Sequence, residues 1–149
     1  MREGLPILLI EDSENDIMLV KLALKRAGVK NPVQAAHDGQ EAIDYLQGSG
    51  PFADRSKFPF PDVIVSDLKM PRMGGFEVLE WLRQHPECTV IPFIVLSASK
   101  QEADIQRAYG LGANSYMVKP ASLNELQRMV KLACDYWCIC EKPEYPRNG

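Results

Sequence analysis

The stretch Val63-Ile64-Val65-Ser66-Asp67-Leu68-Lys69-Met70-Pro71 decides the reading of this chain. A short apolar run ends on a carboxylate, and a turn follows. Three other apolar runs end on polar residues in the same way. Ile7-Leu8-Leu9-Ile10 meets Glu11-Asp12, Phe93-Ile94-Val95-Leu96 meets Ser97, and Tyr116-Met117-Val118 meets Lys119. If the runs are strands of one parallel sheet, three acids, a hydroxyl and an ammonium converge on one edge. Open α/β sheets bind ligands at that edge, outside the carboxyl ends of the strands.

Helical patterns lie between the runs. Asp12 or Ser13 can cap a helix with the stripe Ile17, Val20, Leu24 and Ala27, stopped by Gly28. Pro32 to Ala36 is a milder run whose early proline suits an edge strand. Asp38 can cap a short helix carrying Ala42, Ile43 and Leu46. Asp62 to Ser66 is the third strand, and Gly74-Gly75 precedes a helix. Ile91 to Leu96 is the fourth strand, and Gln101 to Tyr109 a short helix. Ser115 to Val118 is the last strand. Ser122-Leu123-Asn124-Glu125 has capping-box form and opens the last helix. Strands alternating with helices predict a parallel sheet covered on both faces.

The 149 residues suit one domain with a core large enough to need no staple. A net charge of −3 speaks against nucleic acid as a partner. No apolar stretch reaches the roughly 18 residues of a membrane helix, and Leu5 to Ile10 is too short for a signal-peptide core. A cytoplasmic protein is expected. Cys88, Cys134, Cys138 and Cys140 lack the paired spacing of a structural zinc site, so reduced, partly buried thiols are expected. The segment 48–61, with three prolines and three phenylalanines, is long for a loop. Its rings either pack over the sheet or form a flap for a partner. Residues 141–149 read as a polar tail in which Pro143-x-x-Pro146 fits a proline-motif ligand only as a pattern.

Glu11, Asp12 and Asp67 within a few ångströms would raise one another's pKa unless a cation compensates. A hard divalent ion with oxygen ligands does so, and magnesium fits. Lys119 adds a fixed positive charge. An aspartate in that setting can act as a nucleophile toward phosphorus and form an acyl phosphate. Ser97 could then donate to the phosphoryl group. Taken singly, Asp12 could be a helix cap and Lys119 a solvated turn residue; their convergence favours a site.

These residues resemble the receiver domain of two-component response regulators. The resemblance spans about residues 5–140. It rests on Glu11-Asp12, on Asp67-Leu68-Lys69-Met70-Pro71 with Gly74, on Leu96-Ser97-Ala98, on Gly112-Ala113 and on Tyr116-Met117-Val118-Lys119-Pro120. It implies a CheY-like, flavodoxin-like doubly wound sheet of five parallel strands in the order 2-1-3-4-5. It implies Asp67 as phosphoacceptor, and Mg2+ held by Glu11, Asp12, Asp67 and the backbone carbonyl of Lys69. It implies Lys119 at the phosphoryl oxygens and Ser97 and Tyr116 as the switch pair. A cis peptide is common at the position of Lys119-Pro120. The implied partner is a sensor histidine kinase. The long 48–61 loop narrows the resemblance to small stand-alone regulators paired with phytochrome-type histidine kinases. Some of those self-associate through the last helices and strand, where this chain has Tyr109, Leu111, Tyr116, Tyr136 and Trp137; core packing at helix ends accounts for these aromatics equally well.

The expectation is therefore a receiver over 1–140 with a tail over 141–149 and no output domain. It is a response regulator that signals by a phosphorylation-driven switch and is not an enzyme beyond its own phosphoryl transfer and dephosphorylation. Lys69 and Ser99 lie beside the path of attacking water, and the long Lys69 side chain is expected to alter the lifetime of the phosphorylated state. The alternative is a phosphorylation-independent pseudo-receiver that only binds partners. An aspartyl phosphatase would want a second acid two residues after Asp67, where Lys69 stands. A flavin module would want a hydroxyl- and glycine-rich first loop in place of Glu11-Asp12-Ser13-Glu14.

Overall fold

A computed structural model describes residues 4–143. Five strands alternate with five helices: β1 (Ile7–Ile10), α1 (Glu14–Arg26), β2 (Val33–Ala36), α2 (Gly39–Gln47), β3 (Val63–Ser66), α3 (Gly75–Arg83), β4 (Phe93–Ser97), α4 (Glu102–Gly110), β5 (Ser115–Val118) and α5 (Leu123–Ile139). The strands form one sheet in the order β2-β1-β3-β4-β5, and every pairing is parallel. The expected topology and strand order are both present.

Strand periodicity builds two cores. Leu8, Ile10, Ile64, Phe93 and Val95 point to the side covered by α2 and α3, where Ala42, Leu46, Val78, Leu79 and Leu82 are buried. Ile7, Leu9, Val63, Ile94 and Leu96 point to the other side, against Ile17, Val20 and Leu24 of α1 and Leu126 and Val130 of α5. Neighbouring strand residues face opposite sides, so β1 and β4 are buried throughout and read as unbroken apolar runs.

The expected caps are in place. Asp38 accepts from the Glu41 N–H at 2.9 Å at the start of α2. Ser122 accepts from the Glu125 N–H at 3.1 Å at the start of α5. The Glu125 carboxylate is engaged by Arg128. Gly48 ends α2 at φ 70°, a left-handed conformation that costs glycine nothing.

The 48–61 loop packs down. It contains a short 3-10 turn at Gly50–Phe52. Phe52 and Phe58 sit edge-on to each other and against Tyr45 of α2 at centroid distances of 5.2 to 6.1 Å. The buried Tyr45 hydroxyl donates to the Pro59 carbonyl at 2.6 Å. Arg55 donates to the Tyr45, Leu46 and Phe58 carbonyls and lies 4.3 Å from the centroid of the Phe60 ring.

All four cysteines are free thiols. Burial pushes the Cys88 and Cys134 thiols up to about 11. Lys142, beyond α5, pairs with the fully buried Asp62 at 2.7 Å beside the start of β3. Pro146 and the rest of 144–149 lie outside the described residues, and with them half of the Pro143-x-x-Pro146 pattern. Among the described residues no helix is long and apolar enough to cross a membrane.

Candidate functional site: the acidic edge of the sheet

The parallel register places the site. Ile10 lies beside Ser66, Ser66 beside Val95, and Ser97 beside Val118, so the residues that follow β1, β3 and β5 reach the same edge as Ser97. Backbone bonds fix them there. The Glu11 N–H donates to the Ala36 carbonyl at 2.9 Å, the Asp67 N–H to the Ile10 carbonyl at 2.9 Å, and the Lys119 N–H to the Ser97 carbonyl at 2.8 Å.

Lys119 is the hub. Its ammonium donates to Glu11 Oε2 at 2.9 Å, Asp16 Oδ2 at 2.8 Å and Asp67 Oδ2 at 3.1 Å. The other oxygen of Asp67, Oδ1, accepts from the Leu68 N–H at 2.7 Å. Burial works to lower the pKa of Lys119, but its bonds to the three carboxylates outweigh that and hold the ammonium above its ordinary range. Burial raises the Glu11 carboxyl to about 7, against the opposing pull of Lys119 and the Ser13 N–H. Asp16 was not singled out by the sequence. It stands in the first turn of α1, where an acid suits the helix N-terminus without any site, so no local signal pointed to it.

Ligand oxygens of Glu11, Asp12 and Asp67 lie within 4.8 Å of one another. With Asp16 they make four carboxylates around a single ammonium, so the site carries excess negative charge. A set of hard oxygen donors with uncompensated charge suits a divalent cation such as magnesium. The thiols take no part in it.

Two glycines let the loop after Asp67 fold tightly. A Cβ at Gly74 would sit 2.2 Å from the Leu68 carbonyl oxygen, and one at Gly75 would sit 2.3 Å from that of Asp67. Neither position has room for a side chain.

Ser97 is buried, and its hydroxyl accepts from the Ser99 N–H at 3.1 Å. It makes no direct bond to Asp67 here. The Tyr116 hydroxyl donates to the Ser99 carbonyl at 2.9 Å, so both expected switch residues are fastened to Ser99. The Ser99 hydroxyl donates to Asp104 Oδ2 at 2.5 Å, and Lys69 Nζ lies 3.1 Å from the same oxygen. These two contacts hold the Asp104 carboxyl below its ordinary range. One carboxylate of α4 thus ties down the loops after Asp67 and after Ser97. No peptide bond among the described residues is cis, so Lys119-Pro120 is trans.

Fold and edge together define a CheY-like α/β domain with an acidic pocket centred on an aspartate and a lysine. The sequence matches the response regulator receiver domain over residues 7–131, and the chain belongs to that family. It is 35% identical over 131 residues to response regulator Rcp1 of Synechocystis, spanning 88% of this chain and 87% of that protein. It is 36% identical over 134 residues to a probable methanogenesis regulatory protein, FilR2, of Methanothrix harundinacea, spanning 88% and 82%. The crystal structure of the phosphorylated cyanobacterial phytochrome response regulator RcpA superposes with a TM-score of 0.85 at 36% identity, covering 95% of this chain and 99% of that one. The Mn(2+)-bound form of Rcp1 superposes with a TM-score of 0.82 at 33% identity, covering 95% and 100%.

Proposed function

We propose that this response regulator accepts a phosphoryl group on Asp67 from a sensor histidine kinase of the phytochrome type. The observation that carries the reading is Asp67, 3.1 Å from Lys119 and clustered with Glu11 and Asp12. In the transfer an Asp67 oxygen attacks phosphorus, the phosphorus–nitrogen bond to the kinase histidine breaks, and an acyl phosphate forms. Later attack by water returns the carboxylate and releases phosphate. Glu11, Asp12, Asp67 and the Lys69 carbonyl would hold magnesium, which neutralises charge on the transferring oxygens. Lys119 contributes a fixed charge for the same purpose.

Ser97 donates its hydroxyl to the new phosphoryl group. That movement disturbs its bond with the Ser99 N–H, and the Ser99 carbonyl is the acceptor for Tyr116. The phosphorylation signal therefore reaches β5 and α4 through Ser99. The chain catalyses only its own phosphoryl transfer and hydrolysis. The phytochrome pairing is supported by the likeness to RcpA.

Incubation with acetyl phosphate and magnesium should add one phosphoryl mass to the wild type and none to Asp67→Asn. No gain in folded wild-type protein would overturn the reading in favour of a phosphorylation-independent binding module.

A second copy of the chain is the partner proposed for the open face of β5 and α5. Tyr116, Met117, Met129, Leu132, Tyr136 and Trp137 line a groove there. Leu132, Tyr136 and Ile139 are 58%, 56% and 82% exposed, more apolar surface than a solvated helix needs. Sedimentation of the wild type beside Tyr136→Glu tests it: a dimer lost in the variant supports the face, and a monomeric wild type at all phosphorylation levels removes it.

A further inference from the structure

Lys119 has three N–H donors, and all three are spent, on Glu11 at 2.9 Å, Asp16 at 2.8 Å and Asp67 at 3.1 Å. The bond to Asp16 is the shortest of the three and the bond to Asp67 the longest. To hold a phosphoryl oxygen, the ammonium has to give up one of them. Glu11 is a poor one to lose, because its side chain is 4% exposed and would be left charged in the interior. The Asp67 side chain is 14% exposed and is the group being modified. The Asp16 side chain is 35% exposed, so water can replace the lysine there. Asp16 also lies in the first turn of α1, where the helix N-terminus favours negative charge without help from a lysine.

We propose that Asp16 is a positioning residue that draws Lys119 toward α1 in the resting protein and releases it when Asp67 takes up a phosphoryl group. The inference rests on Asp67 being the phosphoacceptor. The Lys119–Asp16 bond exists before the reaction and is absent from the transition state and the product. It stabilises the reactant alone and therefore opposes phosphorylation. Hydrolysis of the acyl phosphate starts and proceeds with that bond already broken, so its rate does not depend on Asp16.

The test measures phosphorylation by acetyl phosphate at saturating magnesium, followed by hydrolysis after the donor is removed. In the first step the phosphorus–oxygen bond of acetyl phosphate breaks, acetate leaves, and a phosphorus–oxygen bond to Asp67 forms. Asp16→Asn removes the charge in a side chain of the same shape. It should phosphorylate about threefold to fivefold faster, the scale of a partly exposed ion pair, and hydrolyse within about twofold of wild type. Asp16→Ser, another good first-turn residue, has to show the same acceleration. Asp16→Glu restores the charge and should return the rate toward wild type, which a purely structural role for Asp16 would not produce. Unchanged or slower phosphorylation in both neutral variants overturns the inference while leaving the Asp67 reading intact. A wild type that gains no phosphoryl group, like Asp67→Asn, overturns both.

Discussion

At the scale of single residues, Glu11 makes the metal-free site sensitive to pH. Its carboxyl is raised from an ordinary 4.5 to about 7 because burial disfavours the charged form. Below 4.5 it is protonated whether the chain is folded or not. Between 4.5 and 7 the folded protein keeps a proton that the unfolded chain has lost. Stability from this group is thus fully present below pH 4.5 and lost as pH rises through 7, by about 3 kcal/mol across the window. Glu11→Gln has no such carboxyl. With chelator present, its melting temperature should gain on that of wild type between pH 5 and pH 8, and manganese should close the gap at pH 8. A gap that stays constant with pH would rule the effect out. Asp104 sets a second residue-scale expectation. It holds both Lys69 and Ser99, so Lys69 does not act alone at the mouth of the site. If Lys69 affects the lifetime of the acyl phosphate, Lys69→Ala and Asp104→Asn should each change the hydrolysis rate, by about twofold to tenfold on the scale of a 0.5–1.5 kcal/mol hydrogen bond. Where Asp104 works through the lysine the double variant differs little from Lys69→Ala, and any further change reports its separate bond to Ser99. Multiplicative effects of the two changes would show that they act separately.

At the scale of elements, the Arg55 guanidinium fastens the 48–61 loop beside the Tyr45–Pro59 hydrogen bond and the ring cluster. Arg55 donates to the Tyr45 and Leu46 carbonyls at the end of α2, the first of which also accepts from the Gly48 N–H, and to the Phe58 carbonyl in the loop. Truncation to Arg55→Ala takes a charged donor from each of those carbonyls and uncovers the Phe60 ring. It should cost about 2 kcal/mol, the sum of a few charged hydrogen bonds partly replaced by water. That corresponds to a melting temperature lower by roughly 6 °C for a domain of this size, with phosphorylation unaffected because the loop lies away from Asp67. A change under about 1 °C would mean that the aromatic cluster of Tyr45, Phe52 and Phe58 holds the loop by itself. For these rings packing is favoured over a partner flap, because large aromatics bury readily, but the loop's own residues do not name the contact that fixes them. A phenylalanine is apolar in either setting, and the deciding contact comes from an arginine that sequence places in a loop. The strands and helices were far more legible. An apolar run closed by an acid or a lysine carries its own direction, and Asp38 and Ser122 announce the helices they cap.

At the scale of the whole molecule, the site was legible wherever one residue ended one strand, and illegible wherever a contact joined elements distant in sequence. Glu11, Asp67, Ser97 and Lys119 follow from strand ends. Asp16 and Asp104 do not, because an acid in the first turn of a helix already has a sufficient local reason to be there. Lys142 is the extreme case. A lysine near the end of a chain, among glutamate and prolines, reads as solvated tail, yet its side chain is 9% exposed and it pairs with Asp62, which is fully buried. It ties the segment after α5 to the amino-terminal edge of the sheet, opposite the acidic pocket, and closes the molecule across 80 residues of chain. Breaking a buried pair by removing one partner leaves a charge in the interior, whereas removing both together does not. Asp62 keeps a further contact, so Lys142→Met should cost about 1–2 kcal/mol, the scale of a lost charged hydrogen bond, while Lys142→Met combined with Asp62→Asn should recover part of that loss. Urea unfolding of the two variants beside the wild type measures both quantities. Equal destabilisation in the single and double variants would mean that packing of the lysine stem, not charge, holds the residues just after α5 in place.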